Sequence, residues 1–121
     1  MTNINLDIEW ISAAKIQLNK EQLSGKEEDT IVELLELCSD EPEVALNVIY
    51  KIIERHPSID ILRYLGAGPL EDLIVKNCHF LNELIDKAKE NSQVRECLSF
   101  VNLNEDDCSN SKDLSNFLES K

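Results

Sequence analysis

Aromatic side chains are scarce: six in 121 residues, or 5%. A core here must therefore be built mostly from Leu, Ile and Val. No apolar run approaches the ~18 residues that a membrane-spanning helix needs. The opening Met1-Thr2-Asn3-Ile4-Asn5-Leu6-Asp7 lacks a basic stretch followed by an apolar one, so no secretory signal is expected there. Basic residues are also few, 12 against 24 acids. That balance argues against nucleic acid, whose binding depends on Lys and Arg neutralising phosphates, and against anionic membrane surfaces. Only two histidines are present, and the four cysteines show no C-x-x-C spacing. No P-loop, dinucleotide fingerprint, G-x-S-x-G or H-E-x-x-H motif occurs. No cofactor and no metal site are expected.

What remains is a chain long enough for one domain with a real core, 42% apolar and 30% charged. Its net charge of −12 is concentrated, with nine acids against three bases in residues 26–56. A field of this sign favours solubility, or a basic protein partner steered in electrostatically. An even cysteine count permits two disulfides. Three of the four, however, lie within helical patterns and no export signal is seen, so Cys38, Cys78, Cys97 and Cys108 read as free thiols in a reducing cytoplasm.

Apolar residues recur at helical spacing nearly throughout, and nothing alternates with period two for long enough to argue a strand. One face carries Leu6, Trp10, Ala13, Ala14 and Leu18 over residues 6–18. A second helix, 26–38, groups Ile31, Leu34, Leu35 and Cys38, with acids in its first turn. Ser39-Asp40-Glu41-Pro42-Glu43 reads as a helix start, Asp40 capping and Glu43 completing a capping box. That helix presents Val44, Ala45, Val48, Ile49, Ile52 and Ile53 and ends before Pro57. A short helix follows from Ile59 to Leu65.

Two of the three glycines and one of the three prolines fall within residues 66–69. Because glycine tolerates positive φ and proline suits a first helical position, Gly66, Gly68 and Pro69 read as a stop and restart between two helices. Further helical patterns run through Leu70, Leu73 and Ile74, through Leu81, Leu84, Ile85 and Ala88, and through Val94, Cys97, Leu98 and Val101. The expected fold is all-α, an irregular bundle of six or seven short antiparallel helices over residues 1–101. Residues 102–121 read as an acidic, partly flexible C-terminal tail with an amphipathic turn through Leu114, Phe117 and Leu118.

The run Gly68-Pro69-Leu70-Glu71-Asp72-Leu73-Ile74 resembles the Gly-Pro-Leu-Glu-Asp-Leu-Leu core of a bacterial family of small helical domains of unknown function. Glu41-Pro42-Glu43-Val44-Ala45 is similar to that family's Asp-Pro-Glu helix start, and Trp10-Ile11 to its N-terminal Trp-Ile pair. Val94-Arg95, Leu98 and Val101 fall in register with its final helix. Where the family shows His-Gly, Asp-Pro and Trp, this chain has Asn77-Cys78, Asn91-Ser92 and Asn102. The resemblance implies a helical fold and no particular activity.

Glu71 and Asp72 are neighbours on a helix and point about 100° apart, so they are poorly placed to share a proton or one ion. Dipole stabilisation and capping account for them, or an ion pair with Arg63 or Arg95 that fixes helix orientation. Adjacent Cys78 and His79 do not face each other on a helix, which disfavours thiol activation. The surface feature above background is the acidic run Glu27, Glu28, Asp29, Glu33, Glu36, Asp40, Glu41 and Glu43. Size, charge and lack of catalytic motifs together point to a non-catalytic, cytoplasmic protein-binding domain. In its sharper form it is a bacterial immunity or inhibitor protein whose acidic face covers a basic toxin or nuclease. The alternatives are an adaptor or regulatory subunit using an apolar helical groove, or an enzyme with a site around Glu71, Asp72 and His79.

Overall fold

The computed structural model describes residues 5–104 and 106–119. Among them are seven continuous helices and no strand. α1 is Leu6–Leu18, α2 Gly25–Asp40 and α3 Pro42–Glu54. α4 covers residues 59–76 in three parts: Ile59–Leu65, a π-helical turn Gly66–Leu70, and Glu71–Lys76. α5 is Phe80–Glu90, α6 Ser92–Leu98 and α7 Ser111–Glu119.

The all-α expectation holds, and α1 has the bounds that its apolar spacing implied. The stop and restart at 66–69 does not occur. Leu65, Gly66, Leu70 and Glu71 all have right-handed helical φ and ψ, and no glycine takes a positive φ. Pro69 lacks an N–H and its ring crowds the carbonyl four residues back, the ordinary cause of a kink. Here the helix absorbs the fault by widening, so that the Glu71 N–H reaches the Gly66 carbonyl five residues back. Glycine is needed at 66 for a different reason. A Cβ there would collide with the Cys97 carbonyl oxygen on α6, with the Phe100 Cβ 3.1 Å away. At Gly68 the nearest neighbours would be Tyr64 ring atoms at 3.9 Å, an ordinary contact.

A second correction concerns the caps. The Asp40–Glu43 capping box is absent because α2 runs on through Asp40 and only Glu41 separates it from α3, with Pro42 in the first turn. The capping box sits one helix earlier. Ser24 Oγ accepts from the Glu27 N–H at 3.3 Å, and Glu27 Oε1 accepts from the Ser24 N–H at 2.8 Å.

α4 is the spine of the bundle. Its first part packs on α1 and α6, its last part on α2 and α3. Ile61, Leu65, Leu70, Leu73 and Ile74 from α4 join Trp10, Leu34, Ile49, Ile52 and Leu81 in one core, all 1% exposed or less. Each such side chain contributes roughly 1.5–3 kcal/mol of burial free energy. Trp10 meets Tyr64 with ring centroids 5.4 Å apart, and the Tyr64 hydroxyl donates to Gln17 Oε1 at 2.7 Å. Beyond Val101 the chain folds back along the domain. Cys108 and Leu114 are buried, α7 lies on α5, and Arg95 stacks over Phe117 and donates to the Leu118 carbonyl at 3.1 Å.

Candidate functional site

The acidic residues divide by what they touch. Glu27 belongs to the capping box, so its carboxylate serves α2 itself. Glu28, Asp29 and Glu36 are exposed along α2 and Glu33 is half-exposed between them. Asp40, Glu41 and Glu43 continue the series through the single-residue link into α3, all exposed. Among the described residues none of these seven forms an ion pair. Residues four apart on a helix are surface neighbours, so Glu28, Val32 and Glu36 form one row. Val32 is 48% exposed, an apolar patch with acids on both sides. In the sequence Val32 and Leu37 both lie off the face of Ile31, Leu34, Leu35 and Cys38, on opposite sides of it, and spacing alone does not say that Leu37 is buried and Val32 exposed.

At the α2–α3 junction Glu41 and Glu43 rim an open cleft of about 330 Å³ with Val44, His79 and Phe80 in its wall. The His79 and Phe80 rings lie 4.3 Å apart, and the Phe80 side chain is buried. Glu71 and Asp72 do not line this cleft. Glu71 Oε1 accepts from the Asn102 N–H at 2.8 Å, tying down the chain after α6. Asp72 pairs with Lys76 at 3.1 Å, and Lys76 also donates to Ser39 Oγ at 2.6 Å. The alternative ion pair of either acid with Arg63 or Arg95 is absent among the described residues; Arg63 lies over the Phe100 ring instead. Because α4 is continuous, no helix N-terminus exists at Glu71 for these acids to stabilise. The structure therefore spreads Glu71, Asp72 and His79 over separate duties.

The cysteines also depart from expectation. Cys78 and Cys108 form a disulfide, their Cα atoms 5.7 Å apart. Both sit in non-helical links, Cys78 between α4 and α5 and Cys108 before α7, where the backbone is free to bring two such residues together. Cys38 and Cys97, on helices, are free and fully buried. Burial pushes both thiols up to about 12, so neither is a nucleophile at neutral pH. Their hydrogens go to carbonyls, Cys38 to Pro69 at 3.4 Å and Cys97 to Leu62 at 3.6 Å. No cluster of three or more metal-ligating side chains occurs among the described residues. Nor is any helix there long and apolar enough to cross a membrane.

Compared with known proteins, residues 17–110 match the family model described as "Family of unknown function (DUF6869)", and the chain belongs to that family. No curated protein and no solved structure matches the chain. The match runs from the last two residues of α1 to the loop before α7. It therefore includes the acidic face, the π turn and both halves of the disulfide, and leaves α7 outside.

Proposed function

We propose that this is a non-catalytic protein-binding domain that docks a basic partner on the outer face of α2 and the α2–α3 junction. In the sharper form it is an immunity or inhibitor protein that neutralises a basic toxin or nuclease in the cytoplasm. The observation that carries the reading is the row Glu28, Val32, Glu36, flanked by Glu33, Asp40, Glu41 and Glu43, with no described cation paired to any of them. Like charges three and four apart on a helix cost a few tenths of a kcal/mol per pair. An exposed aliphatic side chain adds a further small cost. An apolar centre with a charged rim is the arrangement that protein interfaces use. In a reducing compartment the Cys78–Cys108 pair would be held as two thiols, and the acidic face does not depend on it.

The experiment is a pull-down from the native host followed by binding kinetics. Charge reversal of Glu33, Glu36 and Glu43 together should preserve the helical circular dichroism spectrum and slow association, since rim charges act mainly on the on-rate. Val32→Asp should instead speed dissociation. Association of the wild type should weaken with salt, as exposed charges are screened beyond ~8 Å at physiological ionic strength. Wild-type kinetics for the triple variant at low salt would reduce the acidic face to solvated surface.

A further inference from the structure

Against the chain's acidic excess, one cleft is cationic. It lies between α1 and the turn that follows α3, holds about 420 Å³, and has no acidic residue in its wall. Lys15, Arg55 and His56 supply the polar side, while Ile8, Ile11 and Pro57 supply an apolar one. Ile8 is 44% exposed, an uncovered aliphatic surface at the cleft mouth. None of these residues belongs to the acidic face on α2 and α3.

Three features organise these polar side chains. Arg55 Nε donates to Asp7 Oδ2 at 2.5 Å, and the Asp7 side chain is only 5% exposed. That buried carboxylate fixes the guanidinium by its inner edge, and its two terminal amino groups have no partner among the described residues. Planar arginine held in this way is suited to bidentate recognition of an oxyanion. His56 has φ of +53°, a left-handed conformation that costs a side chain about 1 kcal/mol and is normally given to glycine. Lys15, one turn from Ile11 on α1, is exposed and also has no partner among the described residues.

We propose that this cleft binds a small organic phosphate, a phosphomonoester carried on an apolar or aromatic body. The phosphate sits among Lys15, Arg55 and His56, and the body lies against Ile8, Ile11 and Pro57. The Lys15 ammonium and the free edge of the Arg55 guanidinium, with the His56 ring beside them in the same wall, offer more donors than a carboxylate can use and suit the three oxygens of a phosphate. The volume falls within the range of sites for small ligands, far short of a protein interface. This site is independent of the acidic face, and either can be wrong without the other.

The test is an amide NMR titration of the full chain with phenyl phosphate, with inorganic phosphate and benzoate as comparators. Phenyl phosphate should give saturable shifts centred on Ile8, Lys15 and His56, with weaker binding of both comparators. The double variant K15Q/H56Q changes only exposed side chains and should bind phenyl phosphate about tenfold more weakly with its spectrum otherwise preserved. K26Q, a distant exposed charge, should bind as the wild type does. Absence of saturable shifts, or equal affinity in K15Q/H56Q, would overturn the site. Benzoate binding as tightly as phenyl phosphate would overturn the phosphate assignment, and equally tight inorganic phosphate would overturn the apolar wall.

Discussion

Replacing each α4 glycine by alanine should have opposite effects at positions only two residues apart. At Gly66 a Cβ would overlap the Cys97 carbonyl oxygen and stand 3.2 Å from the Cys97 carbonyl carbon. Those are backbone atoms of α6 and cannot turn aside as a side-chain end can. Either α4 and α6 separate or one helix shifts along the other, disturbing Leu62, Leu65, Val94 and Leu98, all at most 4% exposed. Overpacking usually costs about 1–3 kcal/mol, and with two backbones in contact the upper end applies, about 3 kcal/mol. At Gly68 the added methyl would touch only Tyr64 at 3.9 Å. There the loss of unfolded-state freedom dominates and alanine should stabilise by about 0.5–1 kcal/mol. For a chain of this length one kcal/mol moves the melting temperature by about 4 °C. Thermal melts followed at the helical circular dichroism minimum should therefore put Gly66→Ala about 12 °C below the wild type and Gly68→Ala a few degrees above it. The pair controls for composition, since both variants make the same exchange in the same helix. Equal melting temperatures would refute the close α4–α6 crossing.

Two further measurements bear on the covalent and ionic ties. The disulfide closes a loop with a sequence separation of 30, and opening it should destabilise by about 3–4 kcal/mol on the chain-entropy account. Mass spectrometry after alkylation should find no label on the folded, unreduced protein, two once it is unfolded and four once it is also reduced; any other sequence refutes the pairing or the burial of Cys38 and Cys97. At Asp7, burial pushes the carboxyl up, but the hydrogen bond and charge of Arg55 outweigh it and hold the group below its ordinary 3.8. A carboxyl whose folded value is lowered contributes stability that is present above 3.8 and is lost as pH falls through the lower folded value. Urea midpoints should accordingly fall more steeply on the acid side for the wild type than for Asp7→Asn, and parallel curves would show that the pair contributes nothing.

Much of the fold was legible because helical periodicity was consistent over long stretches. Leu6, Trp10, Ala13 and Ala14 marked the buried face of α1, and Leu81, Leu84, Ile85 and Ala88 that of α5. The error at 66–69 came from local rules. Glycine and proline do favour a break in isolation, yet Leu65, Leu70, Leu73 and Ile74 are all core residues, and a π turn keeps all four facing inward without one. Tertiary packing overrode propensity. The Asp40 cap failed similarly: Leu34, Leu37 and Cys38 keep α2 buried until its final residues, so α2 continues past the place where the capping signal would begin α3.

The candidate sites were legible in proportion to how local they are. The acidic row on α2 can be read from spacing alone, because residues three and four apart on one helix are always neighbours. Lys15 and Arg55 lie forty positions apart and become neighbours only when α1 packs on α3. A net charge of −12 conceals such a pairing, since it averages over the whole surface. The disulfide is the same case in covalent form, its partners hidden by a count that asked whether cysteines lay in helices and not whether two links converged. Local charge, not net charge, is what both proposals rest on, and the partners they propose are accordingly of opposite kinds: a basic protein at α2 and a small anion at the cleft beside α1.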